Sequence, residues 1–294
     1  MTVRLARRTW PVVETFGPTI QGEGPLAGVP CSFVRFGGCD YRCTWCDSLH
    51  AVDPAQWGRT ARRLDAGQIV DELEAVERNA RRRPRWVVLS GGNPALYDMA
   101  ALVSELHRSR RFVAVETQGT AWASWLRDVD ALVVSPKPPS SGISVEDSRA
   151  AFERFLVESR GWRRARQARA CKVVVADERD LAFAIDAFHA VRVERVVEAT
   201  TIAGVPIEDD FEMVPRPTGA LLDGDWSLHL SALTPQRPTG DTDSSQMQTL
   251  LDVSDSYRRL CEMVTDRAAL FAKLGNVHVQ PQLHVIAWGA AQGV

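Results

Sequence analysis

Three cysteines, Cys39, Cys43 and Cys46, fall in one short loop with the spacing CX3CX2C. Thiolates are soft ligands for iron and zinc, and three of them on a four-iron cube leave one iron open for an exogenous ligand. A structural zinc site is instead closed by four protein ligands. The nearest fourth thiol is Cys31, in Pro30-Cys31-Ser32-Phe33-Val34-Arg35-Phe36, which reads as a strand that delivers the chain to the loop. Recruiting it would give a four-thiolate zinc site or a closed cluster. A disulfide framework fits poorly, because six cysteines in 294 residues are sparse. The first residues lack the apolar core of a signal peptide, so a reducing cytoplasm is the expected setting. Cys171 and Cys261 lie in apolar-periodic segments and are expected to be buried as small hydrophobes.

The elements that position this loop alternate between strand and helix. Ser32–Phe36 reads as a first strand, with the cysteines after it. Asp65 can cap a helix with Ile69, Val70, Leu73 and Val76 on one face. Trp86–Leu89 is a short apolar run ending at Ser90-Gly91-Gly92, and Met99, Leu102, Val103 and Leu106 repeat at helical spacing. Phe112–Val115, Ala131–Val134 and Cys171–Ala176 are further strands, the last followed by a helix with Leu181, Ile185 and Phe188 inward. This pattern predicts an α/β fold in which a parallel sheet curls into a partial (β/α) barrel, with polar motifs converging at one strand edge. The expectation is one domain over 1–294, with a long Pro- and Asp-rich connection over 201–246 around a late strand near Trp226–Leu230. A helix from about Gln246 to Leu274 and a strand Val277–Gln280 close the pattern.

The bulk composition, 45% hydrophobic and 24% charged, is that of a globular protein, and no apolar run has the length of a membrane span. A net charge of −2 gives no argument for nucleic acid as a direct partner. Lys137, Lys172 and Lys273 are the only lysines among 35 cationic side chains, a bias that codon usage explains and that draws attention to those three. The arginines of 78–85 follow a helix-like segment and those of 160–169 read as a solvated face.

The loop from Gly37 to Ser48 resembles that of the radical S-adenosylmethionine (SAM) enzymes. There the open iron chelates SAM, and an electron from the cluster cleaves the sulfonium to a deoxyadenosyl radical. Further motifs narrow the resemblance. Thr19-Ile20-Gln21-Gly22-Glu23-Gly24, Phe33-Val34-Arg35, Cys46-Asp47-Ser48, Ser90-Gly91-Gly92, Glu116-Thr117-Gln118-Gly119-Thr120, Ser135-Pro136-Lys137-Pro138-Pro139 and Pro281-Gln282-Leu283-His284 occur in order over almost the whole chain. Together they resemble the 7-carboxy-7-deazaguanine synthase family. That resemblance implies conversion of 6-carboxy-5,6,7,8-tetrahydropterin to 7-carboxy-7-deazaguanine with loss of ammonia, for 7-deazapurines such as queuosine. It also implies a [4Fe-4S] cluster, SAM, Mg2+, an electron-donor protein and a homodimer.

Carried over position by position, the resemblance gives the cluster to Cys39, Cys43 and Cys46 and the magnesium to Ser48, where the family usually has threonine. SAM contacts are implied for Trp45, Cys46, Asp47, Gly92, Glu116, Ser135, Pro136 and Lys137. Substrate contacts are implied for Ile20, Gln21, Gly22, Glu23, Arg35, Ser90 and His284. No catalytic side chain beyond the cluster and SAM is implied. Bland alternatives stand beside several of these: loop packing for Trp45, a structural salt bridge for Arg35, a surface carboxylate for Glu116, an ordinary turn for Ser135-Pro136-Lys137. Asn93 departs from the superfamily's Gly-Gly-Glu, offering a SAM ammonium a neutral carbonyl in place of a carboxylate. Two other functions compete: an activase that installs a glycyl radical on a partner protein, and a zinc-binding interaction module using Cys31.

Overall fold

The structure is a computed structural model that describes residues 8–81, 83–159, 167–203, 226–234 and 243–288. Its strands are β1 (Trp10–Ile20), β2 (Pro30–Phe36), β3 (Arg62–Leu64), β4 (Trp86–Gly91), β5 (Phe112–Thr117), β6 (Ala131–Val134), β7 (Ala168–Val175), β8 (Trp226–Ala232) and β9 (Val277–Gln280). The helices are α1 (Leu49–Val52), α2 (Pro54–Thr60), α3 (Ala66–Val76), α4 (Ala100–Arg108), α5 (Val145–Glu158), α6 (Glu178–Ala203), α7 (Asp243–Thr265), α8 (Ala268–Leu274) and α9 (Leu283–Trp288). One sheet runs in the order β3-β1-β2-β4-β5-β6-β7-β8-β9. From β2 to β9 every neighbouring pair is parallel, while β1 is antiparallel to both β2 and β3. The sheet keeps two edges, as an incomplete barrel does.

The cysteine loop therefore follows the second strand in the chain, which is the first of the parallel set. β1 escapes the sequence reading because Pro11 and the Gly17-Pro18 pair interrupt its pattern, and prolines argue against a strand with neighbours on both sides. Its ladder with β2 accommodates them through register shifts between Val12 and Glu14 and between Phe16 and Thr19.

Side chains alternate between the two faces of the sheet. The outer face sends Val34, Phe36, Val87, Leu89, Val113, Val115, Leu132, Val134, Cys171, Val173, Leu228 and Leu230 into one core with the helices. Ile69 and Leu73 of α3, Leu102 and Leu106 of α4 and Leu181 and Phe188 of α6 meet them there. Each such large apolar side chain stabilises the fold by about 1.5–3 kcal/mol when buried. α3 begins at a capping box in which Asp65 and Gln68 satisfy each other's backbone N–H, a feature worth about 1 kcal/mol. The inner face is different. It carries a small apolar cluster of Cys31, Val88, Ala114 and Ala131. Beyond that cluster, toward the strands' C-terminal ends, the same alternation presents Arg35, Ser90, Glu116 and Lys172.

Three details differ from the sequence reading. The helix expected up to Leu274 breaks into α7 and α8. The break follows Thr265, whose hydroxyl donates back to Cys261 O at 2.7 Å, a contact that competes with the helical ladder. Cys261 is half-exposed on α7, whereas Cys171 is buried as expected. α6 continues to Ala203, so the expected connection begins later than 201; most of 201–246, apart from β8, lies outside the described residues, as does most of the 160–169 arginine cluster.

Candidate active site

The cysteine loop is shaped by backbone packed on backbone. Gly37 N–H donates to Pro11 O and Gly38 N–H to Ala51 O, at 2.9 and 2.8 Å. The turn after β4 closes on the same stretch: Gly92 N–H donates to Phe36 O at 2.9 Å and Asn93 N–H to Gly38 O at 2.8 Å. A methyl group on Gly92 would lie 1.9 Å from Gly38 O, so only glycine permits this approach. The close contact that Gly92 makes is thus to the loop itself. On its other side the loop is fastened to the turn after β6. Thr44 N–H donates to Ser141 O at 2.9 Å, its hydroxyl to Ser140 O at 3.0 Å, and Trp45 Nε1 to Ser140 Oγ at 3.1 Å.

The three loop thiols are half-exposed, and burial raises Cys43 and Cys46 above an ordinary thiol, Cys46 to about 11. Without metal both stay protonated at neutral pH, so binding iron releases protons. Among the described residues no three His, Cys, Asp or Glu side chains gather close enough to hold a single ion. Cys31 is fully buried within the inner apolar cluster, its thiol pushed up to about 12 by burial. The donor set is three soft thiols spread along one loop. It fits the corners of an iron–sulfur cube and does not fit a four-thiolate zinc site.

A second group gathers on the inner face. Lys172 Nζ lies 3.2 Å from Glu23 Oε2 and 3.3 Å from Glu116 Oε2, with the ammonium buried. Each contact carries a Coulomb attraction on the order of 5 kcal/mol at an effective dielectric near 20, set against the cost of taking the charges out of water. Burial alone would lower the lysine and raise Glu23. The opposed charges win in both cases, so Lys172 is raised and Glu23 falls to about 2. Gln21 Nε2 donates to Glu116 Oε1 at 2.7 Å, and Gln21 Oε1 accepts the backbone N–H of Gly22 at 2.7 Å and of Glu23 at 3.3 Å. Gln282 Nε2 donates to Glu23 Oε1 at 3.3 Å. His284 packs directly on Gly22, where a methyl group would meet its Nδ1 at 2.1 Å, and Leu283 N–H donates to Gly22 O at 3.1 Å. Glu116, expected beside SAM, is here bound to the Gln21–Glu23 segment through Lys172.

Arg35 and Ser48, assigned by resemblance to different ligands, touch. Arg35 Nη1 donates to Ser48 Oγ at 2.5 Å, and the Ser48 hydroxyl donates to Asp47 Oδ1 at 2.8 Å. Arg35 Nε lies 2.6 Å from Glu14 Oε1 without hydrogen-bond alignment, and its guanidinium sits over the Phe16 ring. His50 also reaches Glu14, at 3.1 Å. Burial would raise Glu14, yet His50 and Arg35 hold it below its ordinary value. Ser90 Oγ is buried with no hydrogen-bond partner among the described residues. Ser135 N–H donates to Thr117 O, and Lys137 Nζ donates to Ser135 Oγ at 3.0 Å. Burial lowers Lys137, against the pull of Cys43. Pro136 is buried beside them, and Ile20 is half-buried at the end of β1.

Sequence reasoning did not assign Lys172, Gln118, Gln282 or Glu14 to the site. Lys172 had a usable signal: a lysine kept in an arginine-rich chain, at an inward position of an apolar strand. Gln118 and Gln282 lay inside the quoted motifs. Glu14 lay in the unread strand β1 and carried no signal.

The Radical SAM superfamily description matches residues 33–174. The chain is similar to the 7-carboxy-7-deazaguanine synthase of Bacillus cereus, with 32% identity over 97% of this chain and 98% of the relative. It is similarly related to that of Bacillus subtilis, with 33% identity over the same shares. Among solved structures, the crystal structure of QueE from Escherichia coli covers 76% of this chain and 93% of its own, at 17% identity and a TM-score of 0.40.

Proposed function

The chain belongs to the 7-carboxy-7-deazaguanine synthase family of radical SAM enzymes, and from that premise we propose how its residues divide the work. The enzyme is a carbon–nitrogen lyase that converts 6-carboxy-5,6,7,8-tetrahydropterin to 7-carboxy-7-deazaguanine with release of ammonia. When bound, the cluster and SAM would supply the one-electron, hydrogen-abstracting chemistry that ring contraction needs. Cys39, Cys43 and Cys46 hold the cluster. Trp45, Asp47, Gly92, Ser135, Pro136 and Lys137 line the SAM side, Lys137 and Asp47 standing close enough to Cys43 to act on its charge.

The observation that carries the substrate side is the charged group beside the loop. Two carboxylates, the buried Glu23 and the half-buried Glu116, share the one ammonium of Lys172. A pterin's guanidine-like edge is a row of N–H donors, and Glu23 is kept ionised to accept from it. The orphaned hydroxyl of Ser90 gives a further polar contact, and Gln21, Gly22, Ile20 and His284 complete the wall. Arg35 receives the substrate carboxylate. Magnesium would be held through the hard hydroxyl oxygen of Ser48, which stands beside the Asp47 carboxylate. The Arg35 guanidinium donates to Ser48, and turning to the carboxylate would free that hydroxyl for the metal. A homodimer, a cytoplasmic location, an electron-donor protein and a single domain over the chain follow from the family resemblance. The single nine-stranded sheet supports the last of these.

The test is an anaerobic assay of reconstituted protein with SAM, reductant, Mg2+ and carboxy-tetrahydropterin, read by mass spectrometry. The expected product is carboxy-deazaguanine. SAM cleavage without it would remove the substrate assignment and bring the glycyl-radical activase forward.

A further inference from the structure

The three cluster cysteines are not equivalent. Cys39 Sγ accepts the side-chain amide of Gln118 at 3.2 Å, in addition to the backbone N–H of Tyr41 at 3.4 Å. Among the described residues neither Cys43 nor Cys46 shows a hydrogen bond from a side-chain donor. Gln118 is buried, and the same Nε2 also donates to Asp40 Oδ1, so both of its N–H groups serve the cysteine loop. A buried amide without such partners would cost about 1–3 kcal/mol. Its position is fixed by the end of β5. Thr117 Oγ1 donates to Asn93 Oδ1 at 2.8 Å and accepts Gly119 N–H at 3.3 Å. Asn93, fully buried, sends its own two N–H groups to Asp40 Oδ1 at 3.1 Å and Thr120 Oγ1 at 2.9 Å, while its carbonyl also accepts Ala95 N–H at 3.2 Å.

This arrangement gives Asn93 a use other than reaching a ligand. Two amides converge on one oxygen of Asp40, whose carboxylate stands next in sequence to a cluster cysteine. A glutamate at 93 would set a second carboxylate against it and remove one of those donors. Hydrogen bonds to ligand sulfurs favour the more negative, reduced state of an iron–sulfur cluster and raise its potential. We infer that Gln118, held by Thr117 and Asn93, is a positioning residue that sets the cluster's reduction potential through the Cys39 sulfur. The inference rests on the reading of Cys39, Cys43 and Cys46 as the cluster ligands.

The experiment is an EPR-monitored redox titration of the reconstituted enzyme and its Gln118→Leu variant. The variant keeps the side chain's bulk and loses both donors. The reduced-to-oxidised ratio at a fixed potential is expected to fall about tenfold, which for a one-electron couple is about 59 mV. Equal midpoints in the two proteins would overturn the inference and leave the cluster assignment standing. A wild-type protein that assembles no four-iron cluster would overturn both. Should the variant fail to hold a cluster, pulsed EPR of the reduced wild type with 15N in its glutamine side chains decides. A 15N coupling supports the inference and its absence removes it.

Discussion

The cysteine loop and the Glu23–Lys172–Glu116 group are built by opposite means. Glycines and main-chain hydrogen bonds set the path of the loop, and side chains such as Thr44 and Trp45 fasten it to its neighbours. The charged group has little backbone of its own: it is three ionised side chains drawn from the 21–23 segment, β5 and β7. A backbone-made site tolerates change of charge and resists added volume. A charge-made site does the reverse.

Substitution should separate the two regions. The largest effect is expected for Cys43→Ala, which should reduce iron bound per chain after reconstitution to background. Cys31→Ala should keep full iron and lose only about 1–2 kcal/mol of stability in urea unfolding, the scale of a small core truncation. Equal iron loss in both variants would bring Cys31 back as a ligand. Next comes Lys172→Met, which leaves the buried carboxylate of Glu23 and the half-buried one of Glu116 without their shared cation. A stability loss of about 3–5 kcal/mol at pH 7 is expected, with iron content unchanged. Adding Glu23→Gln should recover part of that loss; no recovery would mean that Lys172 acts through packing. Gly92→Ala forces a methyl onto Gly38 O. It should cost about 1–3 kcal/mol and speed iron loss to a chelator, since neither backbone has a flexible end to yield.

The smallest and most diagnostic effect is with acid. Glu23 is about 2 in the folded protein and 4.5 in an unstructured chain. Its contribution is therefore complete above pH 4.5 and is lost as pH falls toward 2. Urea midpoints of the metal-free protein should fall across that window. In Lys172→Met that fall should vanish or reverse, because burial without the ammonium raises the carboxyl and the folded chain then binds the proton more tightly than the unfolded one. An unchanged profile would separate the two groups.

The same contrast explains what the sequence disclosed. The parallel strands were legible as short apolar runs because both faces of the sheet carry apolar side chains, Val87 and Leu89 on one and Val88 on the other. The cysteine loop was legible because ligand chemistry restricts residue type and spacing together. β1 was hidden by its prolines, and with it Glu14, the carboxylate beside Arg35. The role of Lys172 was hidden for another reason. Its two partners stand 149 and 56 positions away, and no local pattern links a lysine in one strand to carboxylates at that distance. Glu116 shows the same limit: its motif was recognised, and its pairing with Lys172 was not.

The contact between Gln282 and Glu23 spans 259 positions, and beside it Gln280 Nε2 donates to Gly24 O at 3.2 Å. During synthesis the 21–24 segment and the cysteine loop leave the ribosome well before their neighbours in β9 and α9, which follow 21–24 by more than 250 positions. For most of that interval the loop's thiols stand beside an unfinished wall. A nascent chain is thus able to present its cysteines to oxidants, or to acquire metal, before it has anywhere to put a pterin. Contacts of such separation are late and slow to form. The order of events in the cell, iron before or after β9 docks, becomes a matter of relative rates.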